Sequence, residues 1–227
     1  MASERDPRRR LIDLSHQIEA GMTTYPGLPA PVITPVLTRE ASRDRYAPGT
    51  EFAIDRIDLC GNTGTYVDSP FHRYADGTDL GGLALERLAD LPGVCIELSG
   101  ARGAILRDAL RPHELAGHAV LLYTGWDRHW RTDAYGSPDH PFLAADAVEL
   151  LVEAGAALVG IDSVNIDGTS DGERPAHSGL LAAGIPVCEH LTNLRALPAS
   201  GFRFSAVPAP VRRFGTFPVR AWAVVDD

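Results

Sequence analysis

Asp68 and His72 stand four residues apart in the stretch "GNTGTYVDSPFH", Gly61 to His72. A carboxylate beside an imidazole can move a proton near neutral pH. Pro70 lies between them, and a helical turn starting there would set both on one face. Gly61 and Gly64 permit turns closed to bulkier residues and let backbone amides approach a ligand. Taken singly, Asp68 also reads as a turn cap and His72 as a satisfied, partly buried imidazole. A second cluster, "GERPAHSGLLAAGIPVCEHL", supplies the chemistry these two lack alone. It places His177 just after Pro175, near a helix start, and Glu189 at the end of an apolar strand, where an unpaired charge is costly. Asp68, His177 and Glu189 together can hold a divalent ion or form an acid/base group.

The elements that must position these residues alternate between strand and helix patterns. "FAIDRIDL", "GVCIEL", "AVLLYTG", "AALVGID", "IPVCEHL" and "VRAWAVV" read as strands. "LALERLADL" and "AADAVELLVEAG" place apolar residues at helical spacing, with Gly155 as C-cap of the second. "ADGTDLGG" and "YGSPDHP" read as loops. The pattern is mixed α/β without repeats or long linkers. It predicts a flexible tail over 1–10 and one domain over 11–227.

At 227 residues, with 44% hydrophobic and 22% charged residues, the chain can bury a substantial core. Its net charge of −9, with no basic run beyond Arg8, Arg9 and Arg10, excludes the electrostatic footprint of nucleic-acid or anionic-membrane binding. The three cysteines Cys60, Cys95 and Cys188 lack metal-type spacing and are odd in number, so no disulfide framework is expected and a reducing cytoplasm fits. The polar N-terminus does not read as a signal peptide, and no apolar run approaches bilayer length.

From Asn62 to His72 the chain resembles the cyclase family of metal-dependent hydrolases, which includes kynurenine formamidase and isatin hydrolase. The family pattern is His-x-Gly-Thr-His-x-Asp-x-Pro-x-His, met here by Gly64, Thr65, Asp68, Pro70 and His72. The resemblance extends to "IDLSHQIEAGMTTYPGLP", "LLYTGWD", "LVGIDSVNID" and the segment from His177 to Glu189. It implies a swivelling β/β/α domain, a small-molecule substrate and a homodimer or higher homo-oligomer.

It also implies ligand roles for Asp68, His177 and Glu189, acid/base catalysis by His72, and a substrate contact at Tyr25. The sequence departs from the pattern where two ligand histidines are replaced by Asn62 and Tyr66. An amide oxygen and a phenol of pKa about 10 are poor ligands, so the binuclear centre should be absent. Two chemistries remain. Either one zinc or manganese ion sits on Asp68, His177 and Glu189, or no metal binds and Tyr66 stabilises an oxyanion while His72 moves the proton and Asp68 or Glu189 orients it. The leading reading is a formamidase-like hydrolase of a small cyclic or aryl amide or ester with a one-metal or metal-free site; the alternative is a metal-independent cyclase or lyase using Tyr66 and His72. A ligand-binding homologue without turnover ranks last.

Asn62 and Trp126 are further candidates for the substrate pocket. His16 reads as a structural histidine near the pocket mouth, and His113, His118, His129 and His140 as surface residues. His190 would point away from Glu189 on a regular strand. Asp162 and Asp167 read as groups that order a loop or support a ligand.

Overall fold

Along Ala119–Tyr123 alternate side chains enter different cores, as a period of two requires. Val120 and Leu122 join one buried cluster, and Ala119 and Leu121 join another. A strand covered on both faces reads as an unbroken apolar run, which is why this segment was legible. It forms the middle of a nine-stranded sheet ordered Arg9–Asp13, Trp222–Asp226, Ser200–Ser205, Leu91–Glu97, Ala119–Tyr123, Leu158–Ile161, Val187–Glu189, Tyr66–Asp68 and Thr216–Pro218. The four strands from Leu91–Glu97 to Val187–Glu189 are parallel, and antiparallel strands flank them.

The computed structural model describes residues 9–170 and 172–226. The helices Ala145–Ala154 and Pro175–Ala182 pack together and against one face of the sheet. Ala147, Val148 and Leu151 form the buried stripe of the first helix. Burying Leu151 alone is worth about 1.5–3 kcal/mol. Gly155 ends that helix in the left-handed region, its N–H donating to the carbonyls of Leu151 and Val152. The second core lies on the opposite face, where Phe202 and Phe204 meet Leu88, Leu191 and Leu194. Cys60, Cys95 and Cys188 are free thiols.

The fold is the expected mixed α/β single domain, with three corrections of detail. "LALERLADL" is one 3-10 turn, Leu85–Arg87, and Leu91 already begins a strand. Leu88 and Leu91 are drawn into the second core, which overrides helical spacing. "FAIDRIDL" contributes Ile54–Asp58, but to a separate two-stranded ribbon with Val32–Leu37 whose strand is exposed throughout. Of the expected tail, residues 1–8 lie outside the described residues, while Arg9 and Arg10 are strand residues paired with Asp226 and Val225. Among the described residues no helix is long and apolar enough to cross a membrane.

Candidate metal and acid/base site

The short strand Tyr66–Asp68 lies between Val187–Glu189 and Thr216–Pro218, antiparallel to both. Its register sets Asp68 opposite Val187 and Thr216, and Tyr66 opposite Glu189 and Pro218. Residues opposite one another share a face, so Tyr66, Asp68, Glu189 and Thr216 project to the same side. The preceding turn needs its glycines. A Cβ on Gly61 would collide with the Thr216 carbonyl oxygen, and Gly64 has a φ of +65°. Pro70 opens the 3-10 turn Pro70–His72, which returns His72 towards Asp68.

Asp68 is fully buried, and its Oδ1 accepts a short hydrogen bond from the Thr216 hydroxyl. Thr216 Oγ1 also lies 2.8 Å from His72 Nδ1. Since the threonine proton is spent on Asp68, Nδ1–H must donate to the threonine oxygen. That assigns the tautomer and leaves Nε2 of His72 with its lone pair. His72 Nδ1 is 3.8 Å from Asp68 Oδ1, so the hydroxyl, and not direct contact, links the two. Nothing local to either segment marks Thr216, which is 144 residues from His72 in the chain.

His177 sits in the first turn of the helix Pro175–Ala182. Asp167 caps that turn, accepting from the backbone N–H of Ala176 and of His177, and its Oδ2 lies 2.6 Å from His177 Nδ1. The capping carboxylate thus holds Nδ1–H and turns Nε2 towards Asp68 Oδ2, 3.6 Å away. Asp68 Oδ2 is buried without a hydrogen-bond partner. Among the described residues, Asp68, His72 and His177 each offer a ligand atom, and these atoms lie within 4.8 Å of one another. An orphaned carboxylate oxygen facing an imidazole nitrogen, with a second carboxylate behind the ring, suits one divalent cation.

Burial lowers the His177 pKa, but Glu189, Asp167 and Asp68 outweigh it and raise it well above the usual imidazole value. Burial pushes Asp68 up, and the nearby His177 and His72 outweigh it and bring it below the usual carboxylate value. Glu189 has further partners. Its Oε2 accepts from the Tyr66 hydroxyl at 2.7 Å and its Oε1 from the Ile166 N–H at 2.6 Å. Burial first, and then Asp68, push its pKa up to about 7. His72 stands beside Asp68 and His177 in the cluster, and Glu189 Oε1 lies 3.8 Å from His177 Nε2.

These groups open into a cavity of about 350 Å³ that Tyr25, Asn62, Tyr66, His72, His177 and Glu189 help to line. Tyr25 and Asn62 are thus where substrate contacts were expected. Trp126 is not: it is buried among Tyr135 and Val164, its indole N–H donating to the Tyr135 carbonyl. The Tyr66 hydroxyl donates to Glu189. His16 stacks on Trp130 at 3.9 Å. His140 is fully buried, its ring nitrogens 3.0 Å from the carbonyl oxygens of Ser137 and Asp167, which corrects its assignment to the surface. His190 is a second correction. The strand ends at Glu189, His190 has a φ of 55°, and the ring swings back to the Tyr66 hydroxyl. Asp162 orders the loop as expected, accepting from the N–H groups of Thr124 and Gly125.

Fold and site define a single-domain α/β protein with a candidate one-ion centre beside a small-molecule cavity. The chain belongs to the Putative cyclase family, whose model matches residues 12–168. It is 28% identical to a kynurenine formamidase of Geobacillus thermodenitrificans over 211 residues, 92% of this chain and 95% of that protein. It superposes on isatin hydrolase A of Labrenzia aggregata, bound to benzyl benzoate, with a TM-score of 0.82 at 21% identity, covering 97% of this chain and 95% of the other. A structure titled a potential metal-dependent hydrolase with cyclase activity matches with a TM-score of 0.78 at 23% identity, covering 96% and 98%. At these identities the two structures establish the fold.

Proposed function

We propose that the protein is a metal-dependent hydrolase of a small cyclic or aryl amide or ester, using a single divalent ion. One observation carries this reading: the buried, unpartnered Asp68 Oδ2 faces His177 Nε2 while Asp167 holds the other nitrogen of that ring. Asp68 and His177 would hold the ion, with His72 beside them. Bound there, zinc or manganese supplies Lewis-acid polarisation of a carbonyl and a lowered pKa for water. His72, its Nδ1–H donated to Thr216, presents Nε2 as the base that takes a proton and returns it to the leaving nitrogen or oxygen. Asn62 can orient the substrate, and Tyr25 and Leu28 supply apolar wall. The relatives named kynurenine formamidase and isatin hydrolase support an amide or lactam substrate.

The metal-independent cyclase or lyase needs Tyr66 as a free donor, and its proton is engaged by Glu189. The test is elemental analysis followed by chelation and assay against N-formyl aromatics, lactones and cyclic imides. One ion per chain is expected, with activity lost on chelation and restored by zinc or manganese. Affinity should fall as pH falls, because the raised pKa of His177 makes the ion displace a proton there. Full activity after complete chelation would overturn the reading.

A further inference from the structure

Arg73 follows the base His72 directly in the chain and lines the same cavity. Its backbone is pinned, because the N–H groups of Arg73 and Tyr74 both donate to the Pro70 carbonyl. The side chain is anchored at one edge and on one face. Nε donates to the Ser178 hydroxyl at 3.3 Å, and the guanidinium carbon stands 5.3 Å from the centre of the Tyr74 ring. Tyr74 is itself tied down, its hydroxyl donating to the Ser178 carbonyl at 2.9 Å. Ser178 is next to His177 in the helix Pro175–Ala182. Arg73 is therefore one residue from the base and bonded to the neighbour of a candidate ion ligand, and the rings of those two histidines have centres 5.8 Å apart.

The terminal nitrogens are unspent. Among the described residues neither Nη1 nor Nη2 of Arg73 has a hydrogen-bond partner, and no carboxylate pairs with the guanidinium. Glu173 and Arg174, which also line the cavity, are both engaged within the protein, Arg174 giving Nη1 to the Gly168 carbonyl at 2.7 Å. An arginine held by Nε and by one face presents a planar pair of N–H donors, which matches the two oxygens of a carboxylate. The buried carboxylates of Asp68 and Glu189 repel an anion from the inner end of the cavity, so a charged substrate enters with its anion outward. A volume of about 350 Å³ suits one compact molecule, which must carry that anion and the reacting carbonyl together.

We propose that Arg73 is a specificity-determining residue and that the substrate is an amide or ester bearing a carboxylate, which Arg73 binds at the cavity mouth while the scissile carbonyl lies beside Asp68, His72 and His177. This rests on the one-ion hydrolase reading and adds the substrate class to it. The experiment measures kcat/KM of the zinc-loaded protein for the three formamidobenzoates and for the matching formamidobenzamides, whose neutral amide replaces the carboxylate at similar size. At least one acid should be preferred to its amide by about tenfold to a hundredfold, mainly through KM. Arg73→Gln should bring that ratio to about one. Arg73→Lys, which keeps the charge and loses the fork, should retain part of it. Added salt should shrink the preference of wild type, because Arg73 is exposed.

Calorimetric titration of the chelated protein with the same pairs reads the contact apart from turnover, and apart from a carboxylate binding the ion itself. The acid should again bind more tightly than its amide in wild type, and Arg73→Gln should abolish the difference. If wild type shows no preference for any acid, or Arg73→Gln keeps it, the proposal is overturned, and turnover of the panel leaves the one-ion reading standing. If acids bind in preference but no member of the panel is hydrolysed, the hydrolase reading falls and the role of Arg73 in substrate selection falls with it.

Discussion

Thr216 shows how one hydroxyl sets the chemistry of two conspicuous residues. It donates to Asp68 and accepts from His72, so it fixes which nitrogen of His72 is basic. Thr216→Val keeps the shape and removes the bridge, and should lower kcat/KM about tenfold to a hundredfold, with a displaced acidic limb of the pH–rate profile. Thr216→Ser should keep most activity. His72→Ala, which removes the base itself, should cost on the order of 10²-fold or more. Burying Asp68 Oδ1 without a donor costs about 1–3 kcal/mol, so Thr216→Val must also be less stable than Thr216→Ser. An unchanged profile in Thr216→Val would mean that Asp68 and His72 communicate without it. Asp68 and His72 were legible because their types and spacing suit proton transfer. Thr216 was not, because a lone threonine carries no signal until a strand from the far end of the chain is laid beside Asp68.

At the scale of elements, the site is a product of strand register. Tyr66, Glu189 and Pro218 lie in one row across three strands, and Asp68, Val187 and Thr216 in the next. Replacing Asn62 and Tyr66 together by His restores the family pattern on this strand and turn. The variant should bind zinc or manganese more tightly and with a higher stoichiometry than wild type, since it gains two nitrogen donors and frees Glu189 from the phenol. Metal titration by calorimetry at fixed pH is the check, and equal stoichiometry and affinity in both proteins would mean that the turn no longer brings position 62 to the ion. The strand Val187–Glu189 was visible in the sequence, and its last residue was read as a partner of Asp68 and His177. That His190 leaves the strand, turns back and binds Tyr66 was invisible, because regular alternation predicts the opposite face and only the observed φ of 55° breaks it.

For the whole molecule, the ribbon of Val32–Leu37 and Ile54–Asp58 stands apart from the main sheet and leaves apolar side chains in solvent: Val36 is 68% exposed, Ile54 52% and Ile57 49%. Such a concentration on one two-stranded element is unusual for a surface meant to stay bare. We propose that it contacts a second copy of the chain, the homo-oligomer that the family resemblance implies. A dimer is expected by light scattering at micromolar concentration, and Val36→Asp with Ile57→Asp should yield a folded monomer. An unchanged mass in that variant would place the interface elsewhere. The sequence by itself determined the α/β class, the central strand segments, the helix ending at Gly155 and the candidacy of Asp68, His72, His177 and Glu189, because periodicity, turn chemistry and residue type are local properties. Tertiary structure alone decided that His72 stands beside Asp68 and His177, that Thr216 bridges it to Asp68, and that Glu189 accepts from Tyr66, whose oxygen His190 meets in turn. Those outcomes depend on which hydrogen-bond donor reaches which oxygen across paired strands and turns, and a distance between residues remote in sequence is set only when the sheet closes.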